Sequence, residues 1–429
     1  MLRHKVHEVT FKSGLRGLII DTPKTGVVVC EVSFRAGEFL LKKEKWETAH
    51  LMEHVLLGAN RDYPKARDFQ AAIEQNGAYS NASTSVYDIT YEVEAADFEW
   101  QRVVGLLLDA ISTPKFLQEE VDSELSNVRE ELISRGNNHF RHLNAALRQS
   151  MGLASLTDQE RVELLHHVKR NDLLKHYKAT HTLKNARFII AGNFQGDYDG
   201  VEKMFKDRLQ LESGQERVAL PSEPVQKLED PLVLRKPSVP NVYLYLDLYL
   251  KRELDQREKI AMQILSTMLT ETMYSRIFGT AREKGWVYGM GSGMSYARDM
   301  SSFWLGAQVS KTNSMPLLRL IRDELMLLKD GQISDEDFEA ARKHLLGKTM
   351  RSGQTATGLV SRYNQYYIDG TVDNVNALTT LTKKVSKKLC VDLIKEMLGD
   401  DTWGLGVLGS ISLKPARKLQ SYVADIFND

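Results

Sequence analysis

Two strand-like stretches of this chain, one in each half, end in the same way. Residues 187–191 read Arg-Phe-Ile-Ile-Ala and stop at Gly192-Asn193 before a helical stretch. Residues 404–409, Gly-Leu-Gly-Val-Leu-Gly, again stop in glycine before a helix. The segments leading to each stop follow a similar order. In the first half, β-branched runs at 6–11, 18–21 and 27–34 precede helical spacing over 46–57 and 66–75. Asn76-Gly77 closes the second of these helices. Alternation returns over 79–94, and helical spacing then covers 98–112 and 118–134 and continues in segments to His176. In the second half, strands lead to a helix over 254–272, strands over 286–309 and several further helices. Mixed runs of strands and helices predict α+β halves related by duplication.

The pattern breaks only between Glu212 and Pro231. Ser213-Gly214, Pro221-Ser-Glu-Pro224 and Asp230-Pro231 form a polar, aperiodic stretch there. The expected organisation is an N-terminal domain over residues 1–212, a linker over 213–230 and a homologous C-terminal domain over 231–429. A chain of 429 residues is long enough for each half to bury its own core.

Composition narrows the function classes. The chain is 42% hydrophobic and 27% charged, with 57 basic and 57 acidic residues, so its formal net charge is zero. That balance gives no general attraction to nucleic acid or to an anionic membrane surface. No apolar stretch approaches the ~18 residues of a membrane span. The start, Met1-Leu-Arg-His-Lys5, lacks an apolar secretory core. Cys30 and Cys390, far apart and each in an apolar setting, read as buried free thiols. A cytoplasmic location is the expectation.

Within the helical stretch 46–57 stands His50-Leu-Met-Glu-His54. Histidines four residues apart on a helix project from one face, where two neutral imidazoles reach one divalent ion at zinc–nitrogen distances of about 2.0–2.1 Å. Glu53 lies beside them, placed to polarise a water rather than to bind the ion. The order is that of the inverzincin signature. Two histidines and a water leave a tetrahedral zinc one protein ligand short. A following helix offers Glu124, Glu130 and Glu131. Glu124 and Glu131 share a face with Val128, and Glu130 is rotated from it by about 100°. Helical spacing does not choose between Glu124 and Glu131.

Around this motif the chain resembles the pitrilysin family of metallopeptidases, which includes insulin-degrading enzyme and the mitochondrial processing peptidases. The resemblance covers both halves. It rests on His50-Leu-Met-Glu-His54 with Gly58 and Tyr63-Pro64, on Gly77-Ala-Tyr-Ser-Asn81-Ala82-Ser-Thr84, and on Glu124-x-x-x-Val128-x-x-Glu131. It implies two homologous αβ-roll domains, each a mixed or antiparallel sheet covered by helices. It also implies zinc, one ion per chain, on His50, His54 and Glu131. Glu53 becomes the general base and Glu124 a carboxylate behind the ligands. Asn81 and Ala82 would lie on an edge strand that holds the substrate backbone. In the second half, Arg282 and Tyr288 resemble the family's substrate-clamping pair.

The chain also departs from the family. The Arg-to-Tyr spacing is one residue shorter than usual, Gly58 falls one place early, and Glu47 stands where the family has glycine. The resemblance implies a zinc metalloendopeptidase that cleaves short or unfolded peptides inside a closed chamber, by zinc-activated water with a glutamate base. Four related domains make such a chamber and this chain supplies two, so a homodimer is expected ahead of a heterodimer with a related chain. The competing reading is a non-catalytic scaffold or a regulatory subunit of a heterodimeric peptidase. Such members typically lose a ligand or the base, and all four residues are present here. His166-His167, and His139 with His142, lack carboxylates at ligand spacing and read as solvated helix faces. Lys383-Lys384 with Lys387-Lys388 reads as a solvated helix start.

Overall fold

The computed structural model describes residues 2–297 and 299–427. The chain forms two compact units. The first comprises residues 1–134, 158–221 and 351–375, and the second comprises 135–157, 222–350 and 376–429. Each unit therefore takes one segment from the opposite half of the sequence.

In the first unit the strands are β1 (Lys5–Thr10), β2 (Arg16–Asp21), β3 (Val27–Phe34), β4 (Tyr79–Thr84), β5 (Ile89–Ala96) and β6 (Ala186–Gly192). They form one mixed sheet in the order β1-β2-β6-β3-β5-β4. Only the β2–β6 pairing is parallel. β4 pairs with β5 alone and so forms an edge of the sheet. The alternation over 79–94 is a hairpin rather than one run. Ser85 accepts at Oγ from the backbone N–H groups of Tyr87 and Asp88, which turns the chain between β4 and β5.

Through this unit run helices α1 (Thr48–Leu56), α2 (Ala66–Glu74), α3 (Trp100–Ser112), α4 (Gln118–Arg135), α6 (Asp158–Leu164), α7 (Arg170–Thr180) and α8 (Tyr198–Arg208), while α5 (His139–Ser150) belongs to the second unit. One face of the sheet builds the core. Val28, Cys30, Val32 and Phe34 of β3 and Ile89, Tyr91 and Val93 of β5 pack with Leu51, Met52 and Val55 of α1 and with Val121, Val128 and Leu132 of α4. The opposite face carries Glu31 and Glu94, and the segment 351–375 covers it. Tyr367 donates to Glu31 (3.1 Å) and Thr357 to Glu94 (2.8 Å).

The second sheet has the order β7-β11-β8-β10-β9, from β7 (Leu232–Arg235), β8 (Val242–Leu250), β9 (Val287–Tyr296), β10 (Ser301–Val309) and β11 (Thr402–Gly409). Again one pair is parallel, β7 with β11. The order and strand senses repeat those of β2-β6-β3-β5-β4, so the two units are homologous αβ rolls of the α+β class.

Here α5 lies on the sheet, and it explains the glycines of β11. A Cβ at Gly404 would stand 2.6 Å from Met151 Sδ, and one at Gly406 would stand 2.9 Å from Leu143 Cδ1. These glycines permit close helix–strand approach, whereas Gly409, at φ 139°, is the one that ends the strand. Helices α9 (Gln256–Ser266), α10 (Phe278–Glu283), α11 (Ser314–Lys329) and α12 (Asp335–Ser352) also lie in this unit, with residues 351 and 352 assigned to the first. The helix expected over 254–272 is α-helical only to Ser266 and continues as a π turn, Thr267–Glu271.

The irregular stretch after Arg208 is tied down on both sides of Pro221. Leu183 and Lys184 donate backbone bonds to Glu212 and Ser213, and Arg35 donates to the Val218 carbonyl. Further on, Gln226 and Leu228 donate to the carbonyls of Met151 and Trp403. Cys30 and Cys390 are free thiols and fully buried. Among the described residues no helix is long and apolar enough to cross a membrane.

Candidate metal centre

Helix α1 begins at Glu47, whose carbonyl accepts the first helical bond from Leu51 (2.9 Å). Ala49, Leu51, Met52, Val55 and Leu56 are buried along it. That apolar set fixes the rotation of the helix and leaves His50 and His54 together on the side toward α4. Their ring centroids are 5.0 Å apart, with planes at 80°. In α4 the buried residues are Val121, Val128 and Leu132, which aim Glu124 and Glu131 at α1. Glu130 is turned away and pairs with Arg129 at 3.1 Å.

The two glutamates make different contacts. Oε2 of Glu131 lies 3.3 Å from Nε2 of His50 and 3.3 Å from Nε2 of His54. Glu124 instead meets the other side of His54, with Oε2 3.0 Å from Nδ1. His50, His54 and Glu131 form a group whose donor atoms all lie within 4.8 Å of one another. Donors held ~2.0–2.1 Å from a tetrahedral zinc are separated by about 3.3 Å, so the imidazole-to-carboxylate spacings fit that ion.

Electrostatics at the group follow from its packing. Burial disfavours the charged form of His50, but hydrogen bonds to Glu131 and Glu47 and the Glu47 charge outweigh it and raise the imidazole to about 9. The hydrogen bond from His54 holds the Glu124 carboxyl below its ordinary range, against partial burial. The same charge partners that favour an imidazolium in the metal-free protein would favour a cation bound at Nε2.

Three side chains that sequence alone did not assign complete the surroundings. Oε2 of Glu47 lies 3.0 Å from Nδ1 of His50. Arg161 of α6 donates to both Glu47 oxygens, from Nε at 2.5 Å and Nη2 at 3.1 Å, and its Nη2 also reaches Glu38 at 3.3 Å. Glu47 was visible as a departure three residues before His50, on the same helical face. Nothing in sequence links it to Arg161, 114 positions away.

Asn81 and Ala82 lie on the edge strand β4, which packs against α1. Asn81 is exposed and pairs across the sheet with Glu92, and Ala82 is half-buried opposite Tyr91. In the second unit, Arg282 of α10 and Tyr288 of the edge strand β9 meet despite their short spacing. The guanidinium lies 4.6 Å from the Tyr288 ring centroid, and Nη1 donates to the Tyr288 carbonyl at 2.9 Å. Tyr288 is 88% exposed.

The family model for the insulinase family, peptidase family M16, matches residues 16–159, and that for the peptidase M16 inactive domain matches residues 167–345. A protein of Streptomyces coelicolor named as an uncharacterized zinc protease is 24% identical over 398 residues, which span 87% of this chain and 83% of that one. Zinc protease PqqE of Helicobacter pylori is 25% identical over 62% of this chain and 61% of its own length. The rat mitochondrial-processing peptidase subunit beta is 25% identical over 41% of this chain and 36% of its own. Among solved structures, a protease from Helicobacter pylori superposes with a TM-score of 0.80 over 95% of this chain and 100% of its own, at 18% identity. An M16-like peptidase from Alicyclobacillus acidocaldarius superposes with a TM-score of 0.76 over 95% of this chain and 99% of its own, at 17% identity. With two models of one family matched over residues 16–159 and 167–345, the chain belongs to peptidase family M16, the pitrilysin family.

Proposed function

We propose that the chain is a zinc metalloendopeptidase acting on short or unfolded peptides. The observation that carries this reading is that Glu131 Oε2 lies 3.3 Å from Nε2 of both His50 and His54 on the α1–α4 face. These three residues would hold the ion. A zinc ion bound there acidifies water to a pKa of about 7 and polarises a carbonyl oxygen.

The remaining chemistry belongs to the chain. Glu53 takes the proton of the attacking water and delivers it to the leaving amine nitrogen, so one carboxylate serves as base and then acid. The open edge of β4, with Asn81 and Ala82, takes the peptide backbone as an added strand. Arg282 and Tyr288 donate hydrogen bonds to the peptide, and such donors stabilise a developing oxyanion. We further propose a homodimer in which the Arg282–Tyr288 pair of one chain serves the metal centre of its partner and the domains together enclose the substrate. Retention of both ligand histidines, Glu131 and Glu53 favours catalysis over a scaffold role.

The deciding experiment uses the purified chain alone. Zinc content near one ion per chain and chelator-sensitive cleavage of a quenched peptide are expected, with Glu53→Gln keeping the zinc and losing cleavage. Undiminished turnover by Glu53→Gln would refute the assignment. Sedimentation as a monomer at micromolar concentration would refute the dimer.

A further inference from the structure

We infer that Glu47, held by Arg161, positions the metal-binding imidazole of His50. The inference rests on the proposed zinc site and concerns a residue that the motif does not include.

Glu47 is completely buried, and its neighbours Arg161 and Glu38 are 8% and 6% exposed. Burying a carboxylate is costly even when it is paired, and a buried ion pair commonly contributes little net stability. The backbone does not demand this side chain. Glu47 stands at the N-cap of α1 with φ −71° and ψ 0°, ordinary helical values, and its carboxylate caps no helix N–H. The carboxylate therefore has a use other than starting the helix, and its contacts identify that use.

An ionised carboxylate only accepts hydrogen bonds, so the bond at 3.0 Å requires the proton on Nδ1 of His50. Nε2, on the opposite side of the ring, is then the atom turned toward Glu131. The ring is held in plane and in tautomer from behind, as metal-bound histidines commonly are. Arg161 grips both oxygens of Glu47 and so fixes the acceptor itself. Glu38 meets the same guanidinium. His54 is backed in the same way by Glu124. Both imidazoles thus have a carboxylate behind them.

The test separates positioning from mere structural pairing. Zinc affinity of the full chain is measured by chelator competition, alongside the melting temperature of the metal-free protein. Glu47→Gln keeps the shape and removes the charge, and we expect zinc affinity to fall about 10–100-fold. The double variant Glu47→Gly/Arg161→Leu removes that ion pair but leaves Glu38 without its guanidinium, so its metal-free melting temperature should fall below that of the parent. Its zinc affinity should stay as low as that of Glu47→Gln. Zinc binding within threefold of the parent by either variant overturns the inference, and the isosteric Glu47→Gln decides the point even if the double variant folds poorly. If Glu131→Gln also binds zinc like the parent, the zinc-site reading itself has failed. If Glu131→Gln loses zinc while the Glu47 variants do not, only the role of Glu47 is refuted.

Discussion

Oε2 of Glu124 lies 3.0 Å from Nδ1 of His54, on the side of the ring opposite Glu131. The two glutamates share one face of α4, seven residues apart, yet they make different contacts because one imidazole stands between them. Glu131 faces both Nε2 atoms, where an ion would bind, and Glu124 faces Nδ1 of His54. Glu124→Gln should therefore weaken zinc rather than abolish it, by about 10–100-fold in chelator competition. Its side chain is 29% exposed, so the melting temperature of the metal-free protein should barely move. Complete loss of zinc in this variant would show that the two glutamates had been assigned the wrong way round.

Removing the metal should destabilise the first unit. His50, His54 and Glu131 join α1 to α4, and an ion that binds only the folded state stabilises it by mass action, by about 4 kcal/mol at a free concentration 1,000-fold above Kd. Calorimetry of the chelated protein, with and without added zinc, should show a rise in melting temperature of several degrees. Glu131→Gln should cancel that rise. A melting temperature indifferent to zinc in the parent chain would mean that the three side chains do not hold the ion in the folded state.

The ligand helix, the order of strands and the α+β class were legible because they depend on local pattern. His50 and His54 need only a helix to converge, and apolar periodicity marks one. Glu131 was not legible from spacing, since Glu124 lies on the same face and only tertiary packing decides which carboxylate faces Nε2. Family resemblance implies Glu131, whose Oε2 lies 3.3 Å from both Nε2 atoms. Arg161 was invisible because its partner Glu47 is 114 positions away and no periodicity links them. The exchange of segments 135–157 and 351–375 was equally hidden. A helix on the far face of a sheet has the same amphipathic pattern whichever half of the chain supplies the sheet.

Tyr288 offers a separation of catalysis from stability. It is 88% exposed, so Tyr288→Phe removes no buried packing, and the melting temperature should be unchanged. If its hydroxyl meets the peptide carbonyl, kcat/KM should fall about 100-fold or more. Arg282→Ala should lower kcat/KM as well, and should also free the Tyr288 ring, since the guanidinium stacks at 4.6 Å. Steady-state kinetics on a quenched peptide decide the matter. Wild-type kcat/KM in Tyr288→Phe would remove this residue from the site.

Glu31 makes the pH dependence of folding testable away from the metal. Burial raises its pKa, the charge of its cross-strand neighbour Glu92 adds to that, and the hydrogen bond from Tyr367 only partly opposes them, leaving the carboxyl at about 7. The folded value lies above the unfolded one, so between pH 4.5 and 7 the native state binds the extra proton. Stability is then fullest below the unfolded pKa and declines as pH rises through the folded one, by at most about 3 kcal/mol. Glu31→Gln carries no such charge and should escape the decline. Relative to the parent, its melting temperature should rise steadily from pH 5 to pH 7 and then level off. Melting curves of parent and variant that run parallel over this range would show that Glu31 is ionised normally beneath the 351–375 segment, and that the cover over this face of the sheet admits water.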